Sequence, residues 1–405
     1  MRKIAGLLLV TLLPFYNFAQ DDITTEQLAG AEQTIEYAVP FLTIAPDSRA
    51  GAMGDVGVAT SPDMNSMRWN AAKYAFIETD MGLALSYTPW LRELVDDINL
   101  AYLSYYKRLD NQQTIAASMT YFSLGEIIFT NELGQYNGQH TPNEFALDVA
   151  YSRRFSERIS GAVAFRYIRS DITGGAFVGG TESKAGNAAA ADVSMFYMND
   201  EVNFNGQDAT LSFGLSISNI GNKISYTDVE KDFLPTQLRI GTAFKMPIDE
   251  YNSLTVALDI SKYLVPSSPV YLLDESGADS LDVDGNPIIL SGMDPDVSVP
   301  QGMLQSFYDA PNGLEEELHE LKYSLGLEYW YLNQFAVRAG YFHEHQNKGN
   351  RKYFTAGIGL KLNVFLIDFS YLIPVRQQNN PLQNTVRFTL GFDFEAFRTQ
   401  QRERN

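Results

Sequence analysis

The chain has 405 residues and a formal net charge of −19, from 30 Lys and Arg against 49 Asp and Glu, and it contains no cysteine. With no thiols there are no disulfides, no lipid-bearing cysteine and no cysteine metal site, and the acidity makes nucleic acid no expected partner. Hydrophobic residues make up 45%, enough for a folded chain and far below a helical membrane protein.

The first stretch, MRKIAGLLLVTLLPFYNFAQ, carries Arg2 and Lys3, then an apolar run from Ile4 to Leu13, then Ala19 as a small residue for cleavage. That order predicts a secretory signal peptide over 1–19. A membrane anchor helix fits less well, because the apolar run is short and Pro14 interrupts its sequel. Residues 20–78 are expected to form a polar lead and then a lumenal plug, or hatch. The string FLTIAPDSRAGAMGDVGVATSPDMNSMRWNAAKYAF runs from Phe41 to Phe76. Its small residues, Gly51, Gly54 and Gly57 among them, permit close backbone approach. Pro46 and Asp47 are placed to open a short helix. Arg49, Asn65, Trp69 and Asn70 complete the expected plug set. An ordinary soluble N-terminal subdomain is the alternative. The glycines lack the preceding strand and the Lys-Ser pair of a phosphate loop.

From Asp80 the pattern becomes alternation, the two-residue period of a strand. It runs through Met81–Thr88, Ile98–Lys107, Gln113–Ser123, Glu144–Arg154, Ser160–Arg169, Ala188–Asn199, Ala209–Asn219, Thr236–Met246, Asn252–Lys262, Glu320–Tyr331 and Phe335–Phe342. Three more strands lie between Tyr353 and Glu395. Phe354, Ala356, Ile358, Leu360 and Leu362 share a face of the first, and Ile367, Phe369, Tyr371 and Ile373 a face of the second. Val386, Phe388, Leu390, Phe392 and Phe394 share a face of the third. Polar residues such as Lys361, Asp368, Arg387 and Asp393 stand opposite. Each run is about the ten residues that a tilted strand needs to cross a bilayer. The reading is an all-β fold: a transmembrane antiparallel β-barrel of about 14 strands over residues 79–397, with a polar tail at 398–405. Short and long links alternate along it, although 200–207 is long for a turn on the short side. Tyr102, Tyr105 and Tyr106, and the triplet Tyr329, Trp330 and Tyr331, fall at segment ends where interfacial girdles belong; core packing is the alternative.

One link stands apart. Residues 264–319 hold eleven Asp and Glu and no Lys or Arg, so the acidity of the chain is concentrated there, as suits a solvated loop that resists aggregation or one that engages a divalent ion or polar partner. Tyr271, Leu272, Leu273, Ile288, Leu290, Phe307 and Tyr308 are interleaved with the acids. Apolar residues in that setting point to a protein contact or to a lid folded on itself. The piece from Asp282 to Asn286 begins like a calcium loop, yet Met293 stands where the bidentate Glu belongs. His343 and His345 flank Glu344, a cluster too small to expect a metal. No G-x-S-x-G elbow or separable acid pair appears, so neither catalysis nor a cofactor is expected.

The string from Phe41 to Ala75, together with an exported barrel, resembles the PorV family, outer-membrane proteins of the type IX secretion system of the Bacteroidetes and relatives of the FadL transporters. Where FadL members often carry Asn-Pro-Ala, this chain has Asn70-Ala71-Ala72. The resemblance implies a non-enzymatic, FadL-like outer-membrane barrel amid lipid and lipopolysaccharide. It implies binding of the C-terminal domains of secreted cargo, association with a large translocon barrel of the SprA or Sov type, and delivery to a PorU-like attachment protein. A transporter of a hydrophobic small molecule is one competing expectation, and a purely structural barrel or adhesin is another.

Overall fold

The computed structural model describes residues 34–92, 95, 97–130, 136–175, 177–178, 181–227, 231–274, 278–376, 380–394 and 397. The expected signal peptide, the first part of the lead and the tail lie outside them. Fourteen antiparallel strands close into a barrel. They are β1 (Met81–Pro89), β2 (Ile98–Arg108), β3 (Gln113–Leu124), β4 (Asn143–Arg154), β5 (Ile159–Asp171), β6 (Gly186–Phe204) and β7 (Gln207–Gly221). The second half comprises β8 (Gln237–Pro247), β9 (Asn252–Tyr263), β10 (Lys322–Tyr331), β11 (Phe335–His343), β12 (Lys352–Leu362), β13 (Phe365–Pro374) and β14 (Val386–Asp393). Each strand pairs with its neighbour in sequence, and β14 closes on β1 with Leu390 opposite Leu85. No described helix is long and apolar enough to cross a membrane.

The alternation read from the sequence becomes an outside and an inside. On β14, Phe388 and Leu390 are 49% and 50% exposed, while Arg387 and Thr389 between and beside them are buried. On β13, Ile367 faces out and Asp368 is 1% exposed. A one-residue slip would put those charges on the greasy outer face, so the pattern holds the register.

Short connections at 109–112, 155–158, 205–206, 248–251, 332–334 and 363–364 lie at one end of the barrel. Long ones at 90–97, 125–142, 172–185, 222–236, 264–321, 344–351 and 375–385 lie at the other. The link that looked too long, 200–207, is a two-residue hairpin. β6 continues to Phe204 and β7 starts at Gln207, leaving Asn205 and Gly206 at φ 53° and 82°. An Asn-Gly pair with both φ positive matches the twist of the flanking strands.

Two expectations need correction. Tyr102 and Tyr106 point inward and are fully buried, so of that triplet only Tyr105 sits on the outer face. Lys361 lies exposed at the short-turn end, outside the buried interior that holds Asp368, Arg387 and Asp393.

Candidate functional site

The lumen is lined by small and polar inward residues, among them Ser86, Ser104, Ser152, Ser160, Thr355 and Thr389. Residues 38–77 run along them from one end of the barrel to the other. Tyr37 meets Tyr263 at the long-loop end, with ring centroids 4.7 Å apart. At the short-turn end, Arg154 of β4 donates to the Ala75 carbonyl at 3.0 Å. Between them the segment touches strands on every side. Asn70 Nδ2 donates to the Met195 carbonyl of β6 (2.9 Å), the Gly57 and Val58 amides to Asp259 of β9 (2.8 and 3.0 Å), and the Ser48 amide to Thr389 of β14 (2.9 Å).

Local chemistry shapes the segment. Asp47 caps α1 (Ser48–Gly51), its side chain accepting from the Ala50 amide at 3.0 Å and from Trp69 Nε1 at 2.7 Å. Trp69 ends α2 (Ser66–Trp69), so one carboxylate ties the two helices together. Gly54 takes φ 68°, and a Cβ there would lie 2.6 Å from the Tyr341 carbonyl oxygen. Across the contact, a Cβ on Gly340 would come within 2.1 Å of the Gly54 amide nitrogen. Segment and wall therefore meet backbone to backbone, an approach open only to glycine. All nine residues singled out for the plug (Pro46, Asp47, Arg49, Gly51, Gly54, Gly57, Asn65, Trp69 and Asn70) are buried.

Arg49 begins a chain of charges that the sequence did not reveal. Its guanidinium takes Glu328 of β10 in a two-pronged pair at 2.9 and 2.8 Å, and reaches Asp63 at 2.7 Å. Glu328 also accepts from Arg338 of β11 at 2.7 Å, and Arg338 from its other arm reaches Asp368 of β13 at 2.6 Å. A second group joins Arg166 to Asp148, Asp192 and Asn219. Glu328, Arg338, Asp368, Asp148, Arg166 and Asp192 sit at inward positions of the alternation, which is the one signal that pointed to them. The cavity bordered by Tyr102, Asp148, Arg166, Phe41 and Arg68 measures only about 10 Å³, the room of one water.

The acidic loop forms the other half of the site. It contains α3 (Val299–Gln305), α4 (Leu314–His319) and a small ribbon pairing 270–271 with 289–291. Helix α4 is turned against expectation: Leu314 and Leu318 are 75% and 54% exposed, while Glu316 and Glu317 are buried. The glutamates answer two lysines. Lys262 holds Glu317 at 2.9 Å and also Glu320, and Lys348 holds Glu316 at 2.5 Å and Glu320 at 3.1 Å. The loop is thus fastened to the barrel rim. Leu272, Leu273, Ile288, Leu290, Phe307 and Tyr308 are all exposed, and Tyr271 is half-buried.

The His343–His345 cluster does not converge. His343 faces outward, Glu344 is buried and pairs with Arg351 at 2.8 Å, and the His345 ring stacks on His319 at 3.6 Å. Among the described residues no group of three or more His, Cys, Asp or Glu is arranged to hold a metal ion.

The family model of the type IX secretion system protein PorV matches residues 27–270. No curated protein matches the chain. Among solved structures, a TodX deltaS2S3 mutant monoaromatic hydrocarbon channel is 11% identical, covering 86% of this chain and 99% of its own, with a TM-score of 0.49. The Pseudomonas putida toluene transporter TodX is 10% identical over 84% and 95%, with a TM-score of 0.46. A Pseudomonas aeruginosa FadL homologue is 10% identical over 90% and 100%, also at 0.46.

Two outcomes follow from these contacts. Glu328→Ala leaves Arg49 and Arg338 buried without their shared carboxylate, and is expected to cost about 3–5 kcal/mol of stability. Urea unfolding in lipid vesicles measures it, and a midpoint equal to the parent's contradicts the network. In the loop, burial pushes the Asp309 carboxyl from its ordinary 3.8 up to about 6, with Glu317 and Glu320 adding to the push. The folded loop therefore binds a proton that the unfolded loop has already released. Its docking gains stability as pH falls from about 6 towards 4 and loses it as pH rises through that window. Asp309→Asn should remove this dependence, read as the opening equilibrium of the Ser267 amide by hydrogen exchange after correction for intrinsic rates.

Proposed function

From the fact that this chain belongs to the type IX secretion system PorV family, we propose that it is a non-enzymatic outer-membrane component of that system whose loop 264–319 binds protein. The observation that carries the reading is the loop itself. Leu290, Phe307, Tyr308, Leu314 and Leu318 stand exposed in a segment of eleven acidic residues, while Glu317 and Glu316 are drawn inward to Lys262 and Lys348. Exposed apolar groups on a fastened, acidic frame suit a partner with an apolar centre and a basic rim.

In this reading the long-loop end faces the cell exterior. The loop receives the C-terminal domains of secreted cargo, the barrel associates with a SprA- or Sov-like translocon barrel, and cargo passes to a PorU-like attachment protein. Residues 38–77 act as a plug, so the lumen is not the route that cargo takes. The contacts of residues 38–77 with β4, β6, β9 and β14 support this reading over the alternative, a channel for hydrophobic small molecules, which calls for an open apolar path. Residues 1–19 would direct export and be removed.

Deleting 271–307, or replacing both Phe307 and Tyr308 by Ser, is expected to weaken capture of a cargo C-terminal domain by about tenfold or more. Quantitative pull-down with the folded, membrane-reconstituted barrel reads it. Undiminished capture by the deletion rules the loop out.

A further inference from the structure

The outer face of the barrel changes character at the long-loop ends of β11, β12 and β13. Lower on the wall the outward residues of these strands are uncharged and apolar, Phe335, Leu360 and Ile367 in one row and Val337, Ile358 and Phe369 in the next. Nearer the loops come Tyr341, Phe354 and Ile373, which lie side by side in the register, with the Tyr341 and Phe354 rings 5.0 Å apart. One step higher, His343 lies opposite Lys352, and Lys352 accepts at its carbonyl from Val375, the residue before Arg376. Successive outward residues are about 7 Å apart along a strand. The face thus runs from apolar to cationic at its rim, in the order in which a lipid presents acyl chain and phosphate.

The charge here is opposite in sign to the rest of the chain. The two connections that meet at this rim, residues 343–352 and 375–384, hold Lys348, Arg351, Lys352 and Arg376 against one carboxylate, Glu344. Lys348 is engaged by Glu316 and Glu320, and Arg351 by Glu344, which is buried and turned inward. Lys352 and Arg376 remain, brought to one edge by the hydrogen bond from the Val375 amide to the Lys352 carbonyl, and among the described residues neither has an ion-pair partner. A lone anion would satisfy the cations. The aromatic row directly beneath them calls for an apolar tail on the same ligand.

We propose that this rim, with His343, Lys352 and Arg376 above Tyr341, Phe354 and Ile373, binds the phosphorylated headgroup of an outer-leaflet lipid. The site rests on the outer-membrane placement and is independent of the cargo reading. Arg376 and Lys352 hold the phosphate oxygens by charge-assisted hydrogen bonds. His343, hydrogen-bonded to the Tyr341 hydroxyl at 3.3 Å, flanks them, and the acyl chains lie along Phe354 and Ile373.

The test uses the purified full chain, delipidated and placed in phosphatidylcholine vesicles doped with lipid A that carries its phosphates. Native mass spectrometry after extraction counts retained lipid. The parent should retain lipid A and should retain the dephosphorylated form poorly. The double variant Lys352→Ser with Arg376→Ser should lose about thirty-fold in retention, about fivefold per cation. Lys361→Ser, at the opposite end of the barrel, should lose nothing. Equal retention by parent and double variant overturns the site. So does equal retention of the dephosphorylated lipid, which needs no variant. Displacement by inorganic phosphate at matched concentration would reduce it to an ion site and overturn the lipid assignment. Loss of a co-purifying protein from the double variant with lipid retention unchanged would do the same. None of these results depends on whether loop 264–319 captures cargo.

Discussion

Hydrocarbon offers a backbone no hydrogen-bond partner, so a strand wall in a membrane must pair every amide with a neighbouring strand and must close. The rest of the molecule follows from that constraint. Closure from β1 to β14 fixes the register, and the register sends alternate side chains inward whether or not water can reach them. Asp259, Glu328, Arg338 and Asp368 are carried inward in this way, and all are buried. A buried charge is costly unless it is paired and hydrogen-bonded. The N-terminal segment supplies part of what they need: Arg49 for Glu328, and the Gly57 and Val58 amides for Asp259. Wall and segment each satisfy groups that the other leaves bare.

The same logic operates at the rim. Lys262 lies on the outer side of β9, where an ammonium facing acyl chains would be expensive. Helix α4 and the residue that caps its end cover it with Glu317 and Glu320. Since those glutamates and Glu316 occupy one face, Leu314 and Leu318 are left on the other. The exposure of the leucines is therefore a consequence of where the lysines sit, and it gives the loop an apolar surface held in a defined place.

The fold was legible in the sequence because period-two alternation is unambiguous when one face is as apolar as Phe388, Leu390 and Phe392. All fourteen strands lie where the alternation placed them, within a few residues. The missed hairpin at Asn205-Gly206 had a readable signal, an Asn-Gly pair between alternating runs. Tyr102 and Tyr106 were harder, because an aromatic residue at a strand end serves a girdle or a core equally well, and only the register separates the two. The small residues and Asp47 of the segment marked it as special. The partners of Arg49 were not legible, because Glu328 is 279 residues away and nothing local links them. For the same reason α4 would pass as a solvated acidic helix until Lys262 and Lys348 are placed beside it.

Family membership places this barrel among type IX secretion components, and its structure offers residues 38–77 hydrogen-bonded to the inner wall and a fastened loop. Both depend on an outer wall in contact with lipid. Because the chain has no native cysteine, single cysteines can carry nitroxide labels at Phe388 and Leu390 on one face and at Thr389 on the other. In membranes, the labels at Phe388 and Leu390 should relax strongly with dissolved oxygen and hardly at all with a water-soluble nickel chelate, while the label at Thr389 should be shielded from both. Nickel access at Phe388 and Leu390, or their shielding from oxygen beneath other protein, would contradict the lipid-facing wall.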